Sequence, residues 1–157
     1  MSLKSTLGAV ALVLMAPSAW TIALGGLLGG ENGRLETFTF WTHVVAQLPG
    51  TPGRFLRRAF YQWTLERCAS DVYIGFGTIF SRPAAILEDR VYIGTYALIG
   101  SAHIGAHSLV GSRASLLSGG HQHQWLPSGR WSDTEGSSLT RIAIGPHSWI
   151  GEGAIVM

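Results

Sequence analysis

The sequence predicts a left-handed parallel β-helix over residues 72–157, mainly β, preceded by N-terminal helices. Three observations carry this. Aliphatic residues recur every six positions from Leu87 through Ile93 to Ile99, from Ile104 through Val110 to Leu116, and again at Ile144, Ile150 and Val156. Most steps pair the aliphatic residue with a small one, as in Ile74-Gly75, Ile93-Gly94, Ile99-Gly100, Ile104-Gly105, Val110-Gly111, Ile144-Gly145 and Ile150-Gly151, with Leu87-Glu88 among them. The chain also holds 21 glycines in 157 residues, nearly twice the usual share of about 7%. Without a collagen-like period of three, those glycines serve turns and repeats.

A period of six has a physical meaning. Three hexapeptides close one triangular coil, and each supplies a flat side. The aliphatic side chain fills the narrow interior, and the small residue beside it tolerates a tight corner. Successive coils then stack at ~4.8 Å with parallel hydrogen bonding. Neither an amphipathic helix nor an alternating strand accounts for the run. Two steps depart from it: Ile99 to Ile104 is one residue short, and Phe80 to Leu87 is one long.

Composition bounds the rest. The length suits one domain with a small appendage. With 46% hydrophobic and 13% charged residues, the chain is too apolar to be disordered and leans toward a membrane. A formal charge of +2 is too small for a nucleic-acid partner. Cys68 stands alone, which rules out an internal disulfide and a cysteine-based metal site and fits a reducing compartment.

Residues 1–30 form a hydrophobic membrane-anchor segment on this reading. No charged residue falls between Ser5 and Gly30. A helix rising ~1.5 Å per residue over such a stretch crosses a hydrocarbon core of roughly 30 Å. Lys4 supplies a positive flank, while Pro17, Gly25-Gly26 and Gly29-Gly30 weaken a single straight helix. A cleaved signal peptide, with small residues around Ala16-Pro17-Ser18, and a buried soluble hairpin are the rivals.

Residues 31–71 read as amphipathic or capping helices. Two helical candidates are split by the turn signal Leu48-Pro49-Gly50-Thr51-Pro52-Gly53. Thr51 suits an N-cap and Pro52 a first helical position. Beyond it, Phe55, Leu56, Ala59, Phe60 and Trp63 share one helical face, with Arg54, Arg57 and Arg58 beside it. That pattern suits a helix in a lipid headgroup layer and equally a helix covering the first coil of a solenoid.

Between Leu117 and Ile142 the ladder stops. The insert, residues 118–141, opens Ser118-Gly119-Gly120-His121-Gln122-His123-Gln124-Trp125 and continues polar and glycine-rich to Arg141. A long excursion from a compact scaffold favours a ligand-binding loop.

The repeats, the opening Ser118-Gly119-Gly120-His121 and the return Ile142-Ala143-Ile144-Gly145-Pro146-His147-Ser148-Trp149-Ile150-Gly151 resemble the bacterial hexapeptide-repeat acyltransferases. Within them, the likeness is nearest to the maltose, galactoside, colanic-acid and streptogramin O-acetyltransferase branch. It covers residues 74–157. The resemblance implies a homotrimer with active sites between subunits, an acyl-CoA donor along the prism (acetyl-CoA in this branch), and a histidine base at the loop start, which matches His121. It also implies a cytosolic donor. That places the anchored chain at a bacterial inner membrane with its catalytic domain facing the cytoplasm, a fully cytoplasmic chain being the alternative.

The chemistry is sound in itself. A saccharide or other small hydroxyl acceptor attacks a thioester poorly and needs a base near neutral pH, for which histidine is suited. His123 is the second candidate, as base or as a group orienting the acceptor. Trp149, Gly151 and Gly153 are expected along the acyl-CoA groove, with a subunit interface the rival place for Trp149. Trp125, Arg130 and Trp131 are candidate acceptor contacts. His103, His107 and His147 fall at outward positions, and no metal is expected.

Two other functions compete. A zinc enzyme like the γ-class carbonic anhydrases would draw on His103, His107, His121 and His123, although that family's histidine spacing is not evident. A membrane-tethered β-helix scaffold would need no catalysis. The chain ends at Met157 within a coil, so the solenoid is expected to be truncated there, after about two and a half coils before the insert and one broken coil after it.

Overall fold

A computed structural model of the chain describes residues 3–118, 125–131 and 140–157. Its first element, α1 (Leu3–Ala46), comprises two helical arms joined at Gly30, whose φ of 61° and ψ of −149° break the helix. The arms run back along each other. A Cβ on Gly25 would lie 2.7 Å from the Gly33 carbonyl oxygen, so the glycine lets the arms close up. Farther down, the Trp41 indole N–H donates to Thr21 Oγ1 at 2.7 Å. Pro17 sits inside the first arm without ending it. The glycines thus break the helix where the sequence suggested, and the product is a hairpin. Among the described residues, α1 is the one helix long and apolar enough to cross a membrane. One side of its first arm stays exposed at Leu3, Leu7, Val10, Val13, Leu14, Trp20, Leu24, Leu27 and Leu28.

Helix α2 (Gly50–Thr64) follows. It starts ahead of the expected Thr51-Pro52 boundary, with Pro49 in the cap position and no side-chain cap. The turn is made by Gly50, whose φ is +68°, and the Gly53 N–H donates to the Pro49 carbonyl at 3.3 Å. Phe55, Ala59, Phe60 and Tyr61 are buried, and the Trp63 indole N–H reaches back to the Leu12 carbonyl at 3.0 Å. Of the three arginines, Arg57 is only 2% exposed. Its guanidinium donates to the carbonyls of Ile74 at 3.2 Å, Val45 at 3.4 Å and Leu48 at 2.5 Å. Two of these carbonyls belong to the end of α1 and the turn after it, where the helix leaves partial negative charge; Val45 also accepts the Leu48 N–H at 3.3 Å.

Twelve short strands follow among the described residues, three to a coil. Coil one holds β1 (Arg67–Cys68), β2 (Tyr73–Ile74) and β3 (Ile79–Phe80). Coil two holds β4 (Ile86–Leu87), β5 (Tyr92–Ile93) and β6 (Leu98–Ile99). Coil three holds β7 (Ala102–Ile104), β8 (Leu109–Val110) and β9 (Ser115–Leu116); coil four holds β10 (Ile142–Ile144), β11 (Trp149–Ile150) and β12 (Ile155–Val156). They form three four-stranded parallel sheets, one per side of the solenoid: β1-β4-β7-β10, β2-β5-β8-β11 and β3-β6-β9-β12. Three coils therefore precede the insert. The first opens at Arg67, ahead of Val72, where the period becomes readable.

The aliphatic ladder is the interior. Ile74, Phe80, Leu87, Ile93, Ile99, Ile104, Val110 and Leu116 are completely buried, and Ile144, Ile150 and Val156 pack partly buried on top of them. Cys68, aligned with Leu87, is the first inward position. Its apolar surroundings push the thiol up to about 12, against a smaller opposing pull from Arg58. Below it, aromatic rings carry the core into the helical cap. Phe38 stacks on Phe60, Phe60 meets Tyr61 edge-on, and Tyr61 meets Phe80 at a centroid distance of 4.4 Å. The Tyr61 hydroxyl pairs with Thr42 Oγ1, and burial raises its pKa. Helix α2 packs over the first coil.

Candidate functional site

The two steps that break the six-residue period, Phe80 to Leu87 and Ile99 to Ile104, lie at the same corner of the solenoid, between the third and first sheets. The insert leaves and rejoins there too. Corner length can change without disturbing the flat sides, because a corner residue pairs with no strand.

The roots of the insert meet on one residue. The Ser101 backbone N–H donates to Ser118 Oγ at 3.0 Å, and the Ser101 carbonyl accepts from the Ile142 N–H at 3.0 Å. Ser118 starts the insert and Ile142 follows it, so the buried backbone of one serine holds both ends. Gly100 makes room for this: a Cβ there would stand 2.7 Å from Ser118 Oγ. The Ser101 hydroxyl continues the corner downward by donating to the Ala84 carbonyl at 2.9 Å. At the return, the Arg141 guanidinium pairs in bidentate fashion with Glu66, just before β1. Glu31, Arg34 and Leu35 from the hairpin bend join Arg82, Pro83, Ala84 and Ser101 around a cavity of about 230 Å³.

His121 and His123 lie outside the described residues. Trp125, Arg130 and Trp131 are brought together in a tight hairpin within the insert. The two tryptophans pair as an antiparallel bridge with rings edge-on at 5.4 Å. The Leu126 N–H donates to the Arg130 carbonyl at 2.9 Å, and Gly129 makes the turn at φ +76°. Both indoles and Arg130 are exposed. Trp149, Gly151 and Gly153 lie together in coil four. Trp149 points outward beside Leu109 and is 79% exposed. Among the described residues, and apart from its chain neighbours, neither Gly151 nor Gly153 has an atom within 4 Å of a built Cβ position.

The outward histidines separate into two kinds. His107 and His147 occupy equivalent corner positions with left-handed backbones, their rings stacked at 4.9 Å. His103 is different. Its Nε2 lies 2.9 Å from Glu88 Oε1, while Glu88 Oε2 accepts the Ala106 N–H at 3.1 Å. The bond with His103, and then the one from Ala106, holds the Glu88 carboxyl below its ordinary value. A carboxylate oriented on one ring nitrogen fixes the imidazole and leaves the other nitrogen for proton transfer. Sequence reasoning passed over this pair. Its signal was Leu87-Glu88, where a carboxylate stands in the place of the small residue. Among the described residues, no group of three or more histidine, cysteine, aspartate or glutamate side chains converges as a metal site.

Comparison with known proteins gives one partial likeness. The chain is 31% identical over 83 residues to the bifunctional protein GlmU of Bradyrhizobium sp. (strain ORS 278), a stretch covering 51% of this chain and 18% of that protein. No family model matches the chain, and no solved structure matches it.

Proposed function

We propose that the chain is an O-acyltransferase of the hexapeptide-repeat kind, wound as a left-handed β-helix, that moves an acetyl group from acetyl-CoA to a hydroxyl of a saccharide or similar small acceptor. The partial likeness to GlmU and the three-sided parallel solenoid fit a hexapeptide-repeat acyltransferase. The observation that carries the reading is the clasp of Ser101 on Ser118 and Ile142. It roots the histidine-bearing insert on a rigid corner, as a catalytic loop requires.

In the proposed reaction His121 takes the acceptor's proton as the hydroxyl oxygen bonds to the thioester carbonyl carbon. A backbone N–H steadies the oxyanion. Its collapse breaks the carbon–sulfur bond, and the imidazolium returns the proton to the departing thiolate. The products are an ester and the free CoA thiol, with no acyl-enzyme. His123 orients the acceptor, and Trp125, Arg130 and Trp131 contact it. Trp149, Gly151 and Gly153 are the proposed donor contacts along coil four.

A homotrimer completes the site. The second sheet presents Tyr73, Tyr92, Leu109 and Trp149 in one outward register, with Tyr73 and Tyr92 stacked at 4.7 Å. An exposed aromatic strip of this kind suits an interface core. The apolar side of the first arm of α1 suits the hydrocarbon layer of the inner membrane, with the solenoid in the cytoplasm where acyl-CoA is found.

Release of CoA thiol from acetyl-CoA, with a panel of hydroxyl acceptors and His121→Ala as control, tests the reading. Full turnover in that variant would overturn His121 as the base and turn attention to His123. Stoichiometric zinc in purified protein would instead favour the carbonic-anhydrase-like reading.

A further inference from the structure

A second cleft lies at a different corner, between the first and second sheets and against the helical cap. Its volume is about 620 Å³. The first turns of α1 supply Lys4 and Ser5, α2 supplies Arg54, Phe55 and Arg58, and the first solenoid corner supplies Asp71. Three cations therefore face one carboxylate.

That carboxylate is already engaged. Asp71 Oδ1 accepts the Arg90 N–H at 3.0 Å, and Oδ2 lies 3.7 Å from Arg90 Nε. Lys4, Arg54 and Arg58 take part in none of the ion pairs among the described residues, which join Arg90 to Asp71, His103 to Glu88, Arg113 to Glu152 and Arg141 to Glu66. The arginines rest on rings instead: Arg54 lies 5.0 Å from the Phe55 centroid and 5.8 Å from Tyr73, and Arg58 lies 5.2 Å from Phe55. Arg58 Nε is buried and has no hydrogen-bond partner among the described residues. Burial lowers the pKa of Arg58 and neighbouring Arg54 adds to that, while Cys68 and Asp71 oppose it. Three positive charges around a single carboxylate that is already engaged are under-compensated, and an anion relieves this. The first turn of α1 adds the partial positive charge of a helix start.

We propose that this cleft binds the phosphate of an anionic phospholipid headgroup. Two guanidinium groups and an ammonium match the several oxygens of a phosphodiester better than a single carboxylate. The volume leaves room for the glycerol carried on it. The lipid source follows from the neighbouring surface, since Leu3, Leu7 and Val10 on the same turns of α1 are exposed, Leu3 at 76%. A headgroup in the cleft would hold the first arm against the membrane surface. The lipid source rests on the proposed membrane placement of α1; the arginine dependence stands apart from acyl transfer, and a chain inactive toward acetyl-CoA tests it equally well.

The test uses the full chain in a neutral detergent. Binding of short-chain phosphatidylglycerol, short-chain phosphatidylcholine and inorganic phosphate is measured by calorimetry, for the wild type, Lys4→Gln, Arg54→Gln/Arg58→Gln and Arg54→Lys/Arg58→Lys. Arg113→Gln, at another corner, is the control. The expected result is phosphatidylglycerol binding at least about tenfold tighter than phosphatidylcholine. The double glutamine variant should lose that preference, Lys4→Gln should weaken it, and the lysine variant and the control should retain it. Lys4 is exposed, so its variant reads binding without disturbing the cap. Arginine-dependent binding of inorganic phosphate with no preference between lipids would overturn the lipid source. Equal phosphatidylglycerol affinity in the wild type, Lys4→Gln and the double glutamine variant would overturn the site.

Discussion

Ser101 holds Ser118 by a backbone N–H to hydroxyl bond of 3.0 Å at the point where the insert leaves the solenoid. Ser118→Ala leaves a buried N–H without that acceptor, at a cost of about 1–3 kcal/mol. The solenoid itself is untouched, so the loss falls mainly on loop placement. Turnover should drop by on the order of tenfold or more with little change in KM for acetyl-CoA. Ser118→Thr, which keeps the hydroxyl, should restore most of it. Steady-state kinetics on the three proteins makes the comparison, and an unchanged kcat in Ser118→Ala would separate the clasp from function.

Arg57 is the keystone of the cap. Its guanidinium meets carbonyls from α1, the turn before α2, and β2 of the first coil. Arg57→Met removes three bonds from a charged donor and leaves the carbonyls buried, so a loss of about 3 kcal/mol is expected. For a chain of this size that lowers Tm by roughly 6–12 °C. Arg57→Lys should recover part of the loss, since an ammonium reaches fewer of the three. Thermal unfolding followed by circular dichroism measures both.

Glu88 makes stability depend on acid. Its folded-state pKa lies below the ordinary 4.5 because the bonds with His103 and the Ala106 N–H favour the carboxylate. A depressed carboxyl contributes stability that is present above the unfolded pKa and lost as pH falls through the folded value. Glu88→Gln should therefore be less stable than the wild type near neutrality. The gap should close as pH falls below about 4.5. Denaturant unfolding across pH 3–7 follows the two curves, and parallel curves would remove Glu88 from the account.

Trp149 tests the subunit interface. It stands at the exposed end of the strip formed with Tyr73, Tyr92 and Leu109. Trp149→Glu places a charge where an apolar contact is proposed, and burying it unpaired costs several kcal/mol. The expected outcome is a trimer converted largely to monomer, read by light scattering on the eluting protein. A trimer that survives unchanged would move the interface to another face.

The solenoid was legible because its interior is one-dimensional. Inward positions recur every six residues along a coil, so Leu87, Ile93 and Ile99, and then Ile104, Val110 and Leu116, announce themselves by spacing alone. The irregular steps after Phe80 and Ile99 looked like noise in sequence, and in the structure they mark the corner that carries the insert. Cys68 was missed because a lone cysteine has no aliphatic signature, although it occupies the first inward place. Arg57 was not singled out because three arginines at helical spacing resemble one another in sequence. Only the carbonyls left by the end of α1 single it out. The clasp of Ser101 and the His103–Glu88 pair join neighbouring coils. A pairing across 15–17 residues shows only once the coil length, with its short and long corners, is known.

The most direct test is acceptor-dependent release of CoA thiol by the purified full chain, wild type against His121→Ala. The account predicts release that needs both acetyl-CoA and a hydroxyl acceptor and falls by ~10²–10⁴ in the variant, while the circular dichroism of the solenoid is unchanged. Failure of the wild type to bind or cleave acetyl-CoA with any acceptor, or full turnover in a folded His121→Ala chain, would contradict it.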